Sequence, residues 1–120
     1  MPQPLKSAFR NAAAGIAHAF TQRNMRIHAV FAVAAVALGF ALRIDTASWL
    51  AVLLCIGGVF SLEVLNTAVE ALVDLVSPDY HKLAGRAKDC AAGAVLVMAA
   101  VSVVVACVVY LPGLEALLWR

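Results

Sequence analysis

Three stretches without a single Asp, Glu, Lys or Arg, at 27–42, 46–62 and 90–114, limit what this chain can fold into. An α-helix rises 1.5 Å per residue, so about 20 apolar residues, with a range of roughly 17–25, cross the ~30 Å hydrocarbon layer of a bilayer. The third stretch is long enough by itself. The first two are shorter, but Arg43 can snorkel at the end of one. The other can continue past Glu63 if the polar side chains beyond it face protein. Three membrane spans follow. The competing reading is a soluble bundle of buried helices, and composition weighs against it. Of 120 residues, 64% are hydrophobic and 13% charged, against about 25% charged in soluble domains. A soluble chain of this length needs more polar surface than that.

Charge placement gives a topology. Lys6, Arg10, Arg23 and Arg26 precede span one, and Lys82, Arg86 and Lys88 lie between spans two and three. Arg43 and Arg120 fall on the opposite side. The positive-inside rule makes the richer side cytoplasmic, with a cytoplasmic N-terminus. No short apolar core followed by a small-residue cleavage site suggests a signal peptide. The cations do not form a basic patch with interleaved aromatics, so no nucleic-acid partner is expected. Cys55, Cys90 and Cys107 lie in apolar segments without metal spacing and read as small buried side chains.

The expected architecture is one all-α membrane domain, 1–120. An amphipathic surface helix covers about 4–22, and spans cover about 27–44, 48–76 and 84–110. Leu5, Phe9, Ala12, Ile16 and Phe20 recur at three- and four-residue steps, with Lys6, Arg10 and His18 off that stripe, as in a helix lying on the membrane surface. Asp45-Thr-Ala-Ser48 supplies a turn and a helix cap, and Trp49 follows as an interfacial aromatic. Pro78 ends span two and Leu111-Pro-Gly113 is expected to break span three. Ala91, Ala92, Gly93 and Ala94 form a small-residue patch suited to close helix contact in lipid.

Within span two, Glu63, Asn66, Thr67, Glu70 and Asp74 recur at helical spacing, within roughly a third of the circumference. A carboxylate in hydrocarbon costs on the order of 3 kcal/mol by insertion scales, so such a stripe has a reason to be there. Glu63 lies about four turns beyond Trp49, about 21 Å along the axis, in the inner part of the hydrocarbon layer. Glu70 falls near the cytoplasmic boundary and Asp74 among the headgroups. The stripe therefore runs from membrane interior to water, a geometry that brings a lipid headgroup to a soluble co-substrate. Lys88 and Asp89 follow at the cytoplasmic start of span three. Carboxylates, an amide and a lysine at one face suit phosphoryl transfer, which needs a base, metal-binding carboxylates and a cation for the phosphate. Residue types alone leave ion transport open. Neither GxxxxGK[ST] nor GxGxxG is present.

The run Glu63-Val-Leu-Asn66-Thr-Ala-Val-Glu70-Ala-Leu-Val-Asp74 closely resembles the signature of the prokaryotic diacylglycerol kinase family, which also contains the undecaprenol kinases. Tyr80-His81 and Gly85-Arg-Ala-Lys88-Asp89-Cys-Ala-Ala-Gly-Ala-Val95 extend the likeness, and size and span order extend it over nearly the whole chain. The resemblance implies a homotrimer of three-span subunits, with active sites between neighbours at the cytoplasmic interface. It implies ATP and Mg2+, with a membrane lipid alcohol as acceptor. By motif position, Glu63 is the general base on the lipid hydroxyl, Asn66 orders the site, and Glu70 binds magnesium with the ATP phosphates. Lys88 contacts the phosphates with Asp89 beside it, Asp74 supports the polar network, and Asp79, Tyr80 and His81 border the nucleotide. His18 and His28 read as interface residues with no chemical part.

One position departs from the pattern. Gln22 stands where the family commonly has a glutamate assisting the metal, in a segment, 15–23, about one residue shorter than usual. An amide oxygen coordinates magnesium but adds no charge. Either magnesium binds more weakly, or Asp74, Asp89 or a neighbouring subunit supplies the carboxylate. The expected reaction is ATP- and magnesium-dependent phosphorylation of undecaprenol, with diacylglycerol as the alternative acceptor. The short N-terminal segment and Phe60-Ser-Leu-Glu-Val-Leu-Asn-Thr-Ala resemble undecaprenol kinases, while Asp79-Tyr-His and Gly85-Arg-Ala-Lys-Asp fit both. A small proton-coupled transporter is the rival of another class. It would want its acids near the midplane with access to both sides, and this stripe opens toward one face. A catalytically dead homologue is a third reading.

Overall fold

The computed structural model describes residues 2–119 as four helices: α1 (Leu5–Ala19), α2 (Arg23–Leu42), α3 (Thr46–Val76) and α4 (Lys82–Leu118). Arg120, used above in the charge count, lies outside the described residues. Local chemistry explains the main boundaries. Asp45 caps α3 by accepting a hydrogen bond from the Ser48 backbone N–H at 2.8 Å, satisfying a first-turn donor that the helix cannot. Arg43 closes α2 in the left-handed region, at φ 51°. Pro78 follows the end of α3, and His81 caps α4 through Nδ1, which accepts from the Leu83 N–H at 3.1 Å.

α2, α3 and α4 are each long and apolar enough to cross a membrane. Large apolar side chains such as Phe31, Phe40, Leu54, Leu96 and Val108 point outward on all three. That surface is unfavourable in water and natural in lipid. This is an all-α membrane fold, three spans preceded by a surface helix. α3, with 31 residues, extends about 46 Å and outreaches a ~30 Å hydrocarbon layer.

α3 and α4 pack as a close hairpin, while α2 leans against both more loosely. Between them runs an apolar groove of about 440 Å³, lined by Phe31, Ala35, Cys55, Val59, Val103 and Tyr110 among others. α3 and α4 approach closely at Gly58, where an added Cβ would lie 2.9 Å from the Met98 methyl carbon. Within this chain nothing lies within 4 Å of a Cβ built on Gly93, the glycine of the small-residue patch. At the opposite end, Gly39 lets the Trp49 ring sit against α2, and Trp49 meets Phe40 in a tilted contact with ring centroids 4.8 Å apart.

Two boundaries differ from expectation. The surface helix stops at Ala19 rather than about residue 22, and α2 begins at Arg23. The chain turns here because Thr21 folds back on its predecessor, its hydroxyl and its N–H both donating to the His18 carbonyl. Arg26 then donates to the Thr21 carbonyl at 2.9 Å, and Phe20 packs on Phe60 of α3. The break at Leu111-Pro112-Gly113 does not occur. α4 carries Pro112 internally and continues to Leu118. The proline forfeits one helical N–H, but here α4 runs against α2, a Cβ on Gly113 falling 3.2 Å from Leu42 Cδ1, and this tertiary contact supports the turn.

Candidate active site

The polar stripe of α3 faces protein at Glu63, Asn66 and Thr67 and becomes exposed at Glu70 and Asp74. Glu63 is 3% exposed and Asn66 6% exposed, in a helix whose lipid-side neighbours Leu65 and Leu72 are open. The turn at 20–22 brings the start of α2 over this stripe. Gln22, Arg23 and Asn24 together with Glu63, Asn66, Thr67 and Glu70 line a cleft of about 130 Å³.

Within the cleft the hydrogen bonds are directional. Asn66 Nδ2 donates to Glu70 Oε1 at 3.3 Å, one helical turn along. That bond orients the amide and leaves its oxygen, Oδ1, buried with no partner among the described residues. An unsatisfied buried acceptor is costly. Thr67 spends its hydroxyl on the Glu63 backbone carbonyl at 3.0 Å, so it does not fill the need. Glu63 has a different neighbour, His28 of α2, with Nε2 3.4 Å from Oε2. His28 therefore does not sit idle at the interface, as expected from sequence, but turns inward on the buried acid.

Further along α3, Asp74 accepts a hydrogen bond from Lys88 Nζ. This pair joins the start of α4 to the end of the stripe, and the Glu70 charge also acts on the ammonium. Asp74 is thus already engaged by a cation. Asp89, Asp79, Tyr80 and His81 are exposed and do not line the cleft. His81 has a visible structural task as the cap of α4. Sequence reasoning missed His28, Arg23 and Asn24. The first two turns of α2 read as the polar end of a span, and only the fold shows which side chains turn toward α3.

The donor set fits a hard divalent cation such as magnesium. Glu70 offers a carboxylate, Asn66 Oδ1 is a buried oxygen lacking a proton donor, and Gln22 adds a second amide. Among the described residues no three His, Cys, Asp or Glu side chains form a self-sufficient metal cage. Magnesium does not need one, since it is commonly held by one or two carboxylates with substrate phosphates and water.

Comparison with known proteins identifies the family. Residues 10–110 match the family described as prokaryotic diacylglycerol kinase. The undecaprenol kinase of Bacillus subtilis is 46% identical over 94 residues, covering 78% of this chain and 76% of that protein. The diacylglycerol kinase of Synechocystis sp. is 45% identical over 113 residues, covering 92% of this chain and 65% of that protein. The diacylglycerol kinase of Escherichia coli shares 46% identity over 50 residues, 42% of this chain and 41% of that protein.

Proposed function

The chain belongs to the prokaryotic diacylglycerol kinase family, and from this premise we propose that it transfers the γ-phosphate of ATP to the hydroxyl of a membrane lipid alcohol. It is a lipid kinase, and undecaprenol is the acceptor we assign. The observation that carries the reading is the burial of Glu63 beside a cleft that also holds Glu70 and the unpartnered Asn66 oxygen. A base held away from water, about one turn from Asn66 and two from Glu70, suits a membrane alcohol that must meet a nucleotide.

The residue roles follow from position. Glu63 Oε1 or Oε2 takes the proton of the lipid hydroxyl as that oxygen bonds to the γ-phosphorus. The bond from γ-phosphorus to the β–γ bridging oxygen breaks, and ADP leaves with that oxygen. Lys88 places positive charge beside the transferring phosphoryl group, held in direction by Asp74. Glu70, Asn66 and Gln22 would hold magnesium, which supplies charge neutralisation on the phosphate oxygens. Asn66 keeps the Glu70 carboxylate oriented through its amide N–H. Asp79, Tyr80 and His81, with Asp89, border the nucleotide from the exposed connection.

We place the catalytic end on the cytoplasmic side of a bacterial inner membrane, with the N-terminus on that side, because seven of the nine Lys and Arg residues collect there. A homotrimer fits the outward apolar surface of the three spans. Diacylglycerol remains a second reading because the Synechocystis relative, named a diacylglycerol kinase, matches 92% of this chain. The deciding assay gives the purified protein labelled ATP, magnesium and one lipid at a time in mixed micelles. Phosphate on undecaprenol and not on diacylglycerol supports the assignment. The reverse pattern exchanges the acceptors, and transfer to neither sinks the kinase reading.

A further inference from the structure

Glu63 is almost wholly buried, and among the described residues the only basic side chain within 4 Å of its carboxylate is His28. The two sit on different helices, His28 in the second turn of α2 and Glu63 in the middle of α3. The imidazole is half-buried. It borders the apolar groove with Phe31, Val59 and Phe60, and its Nε2 lies 3.4 Å from Glu63 Oε2, within ion-pair distance. A polar ring placed against apolar walls, with its one close polar contact on a buried acid, has a specific task.

We propose that His28 is the positioning residue for the Glu63 base. The close approach of Nε2 to Oε2 holds one carboxylate oxygen and leaves Oε1 to receive the proton of the acceptor hydroxyl. Without that contact the carboxylate rotates about its terminal torsion, which is broad and roughly two-fold. A base misplaced by about 1 Å can lose on the order of 100-fold in rate. The inference rests on the reading of Glu63 as the base. It concerns kcat and leaves nucleotide binding alone, because His28 does not line the cleft that holds Glu70.

The test compares His28→Phe, His28→Gln and Glu63→Gln as purified full-length protein in mixed micelles, measuring kcat and the KM for ATP. Phe keeps a ring of similar size without a donor, and the Gln amide nitrogen reaches near the position of Nε2. His28→Phe is expected to lower kcat by about 10- to 100-fold with the KM for ATP within twofold, and His28→Gln to recover to within about threefold of the unaltered enzyme. Full kcat in His28→Phe overturns the inference, as does a His28→Gln variant as slow as His28→Phe. A rise in the KM for ATP matching the fall in kcat marks general disruption and also overturns it. An inactive Glu63→Gln beside a fully active His28→Phe removes the His28 role and spares the base. A fully active Glu63→Gln removes both.

Discussion

Tyr110 of α4 donates its phenolic hydrogen to the Ala35 carbonyl of α2 at 2.8 Å. It is the one side-chain hydrogen bond joining α2 to the hairpin among the described residues, and it lies at the far end of the groove from His28 and Glu63. Because α2 also carries Gln22, Asn24 and His28 to the site, this bond fastens the same helix at its other end. Interhelical side-chain bonds in lipid average about 0.6 kcal/mol, with a maximum near 1.7. Tyr110→Phe is therefore expected to cost about that average in reversible unfolding in mixed micelles. Turnover at saturating substrate should stay within about twofold, since the site end of α2 is held separately by the Thr21 turn and the Phe20–Phe60 contact.

The Lys88–Asp74 pair separates a role in phosphate binding from one in stability. Both side chains are partly exposed, and ion pairs of that kind contribute roughly 0–1 kcal/mol. Neither Lys88→Ala nor Asp74→Asn should lower the unfolding free energy by more than that. Their kinetics should differ. Lys88→Ala removes the cation and should lower kcat/KM for ATP at least about 100-fold. Asp74→Asn only loosens the lysine and should cost less than about tenfold. Equal losses in steady-state assays would make Asp74 a direct participant.

Reading the sequence captured what local chemistry and periodicity encode. Asp45 announces the start of α3 and Pro78 its end, and the stripe from Glu63 to Asp74 is visible because helical spacing is rigid. What stayed hidden depends on tertiary placement. Nothing around Phe20, Thr21 and Gln22 resembles a helix stop, for the turn is made by side chains reaching back and by Phe60 on another helix. Pro112 reads as a terminator yet sits within α4, where Leu42 packs against the following glycine. The inward face of His28 could not be seen either. On a helix apolar nearly all round, no stripe tells which side meets α3.

Asp45 gives a pH signature outside the membrane. Hydrogen bonds from Ser48, side chain first and backbone second, hold its carboxyl below the ordinary carboxylate value. A depressed value in the folded state means that ionised Asp45 stabilises α3 above the unfolded value, and that this stabilisation fades as pH falls through it. Asp45→Ala should therefore melt below the unaltered protein at pH 7 in micelles. The gap between the two melting temperatures should stay constant down to about pH 5 and narrow below about pH 4. A gap independent of pH would mean that the cap works through backbone geometry alone.

Gln22 sets the last expectation. It initiates α2 from an extended conformation and lines the cleft with Glu63, Asn66 and Glu70, so a carboxylate at this position would face the same space. The amide offers an oxygen without charge, whereas magnesium favours anionic oxygen ligands. Gln22→Glu should lower the magnesium concentration for half-maximal activity several-fold, about tenfold if the new oxygen reaches the ion directly. The effect should appear in a magnesium titration at fixed ATP and lipid, with kcat at saturating magnesium changed far less. Asp45→Glu, at the opposite membrane face, controls for added bulk and should leave the titration where it was. If Gln22→Glu also leaves it unmoved, Gln22 lies beyond reach of the metal, and the second charged ligand must come from Asp89 or from a neighbouring subunit.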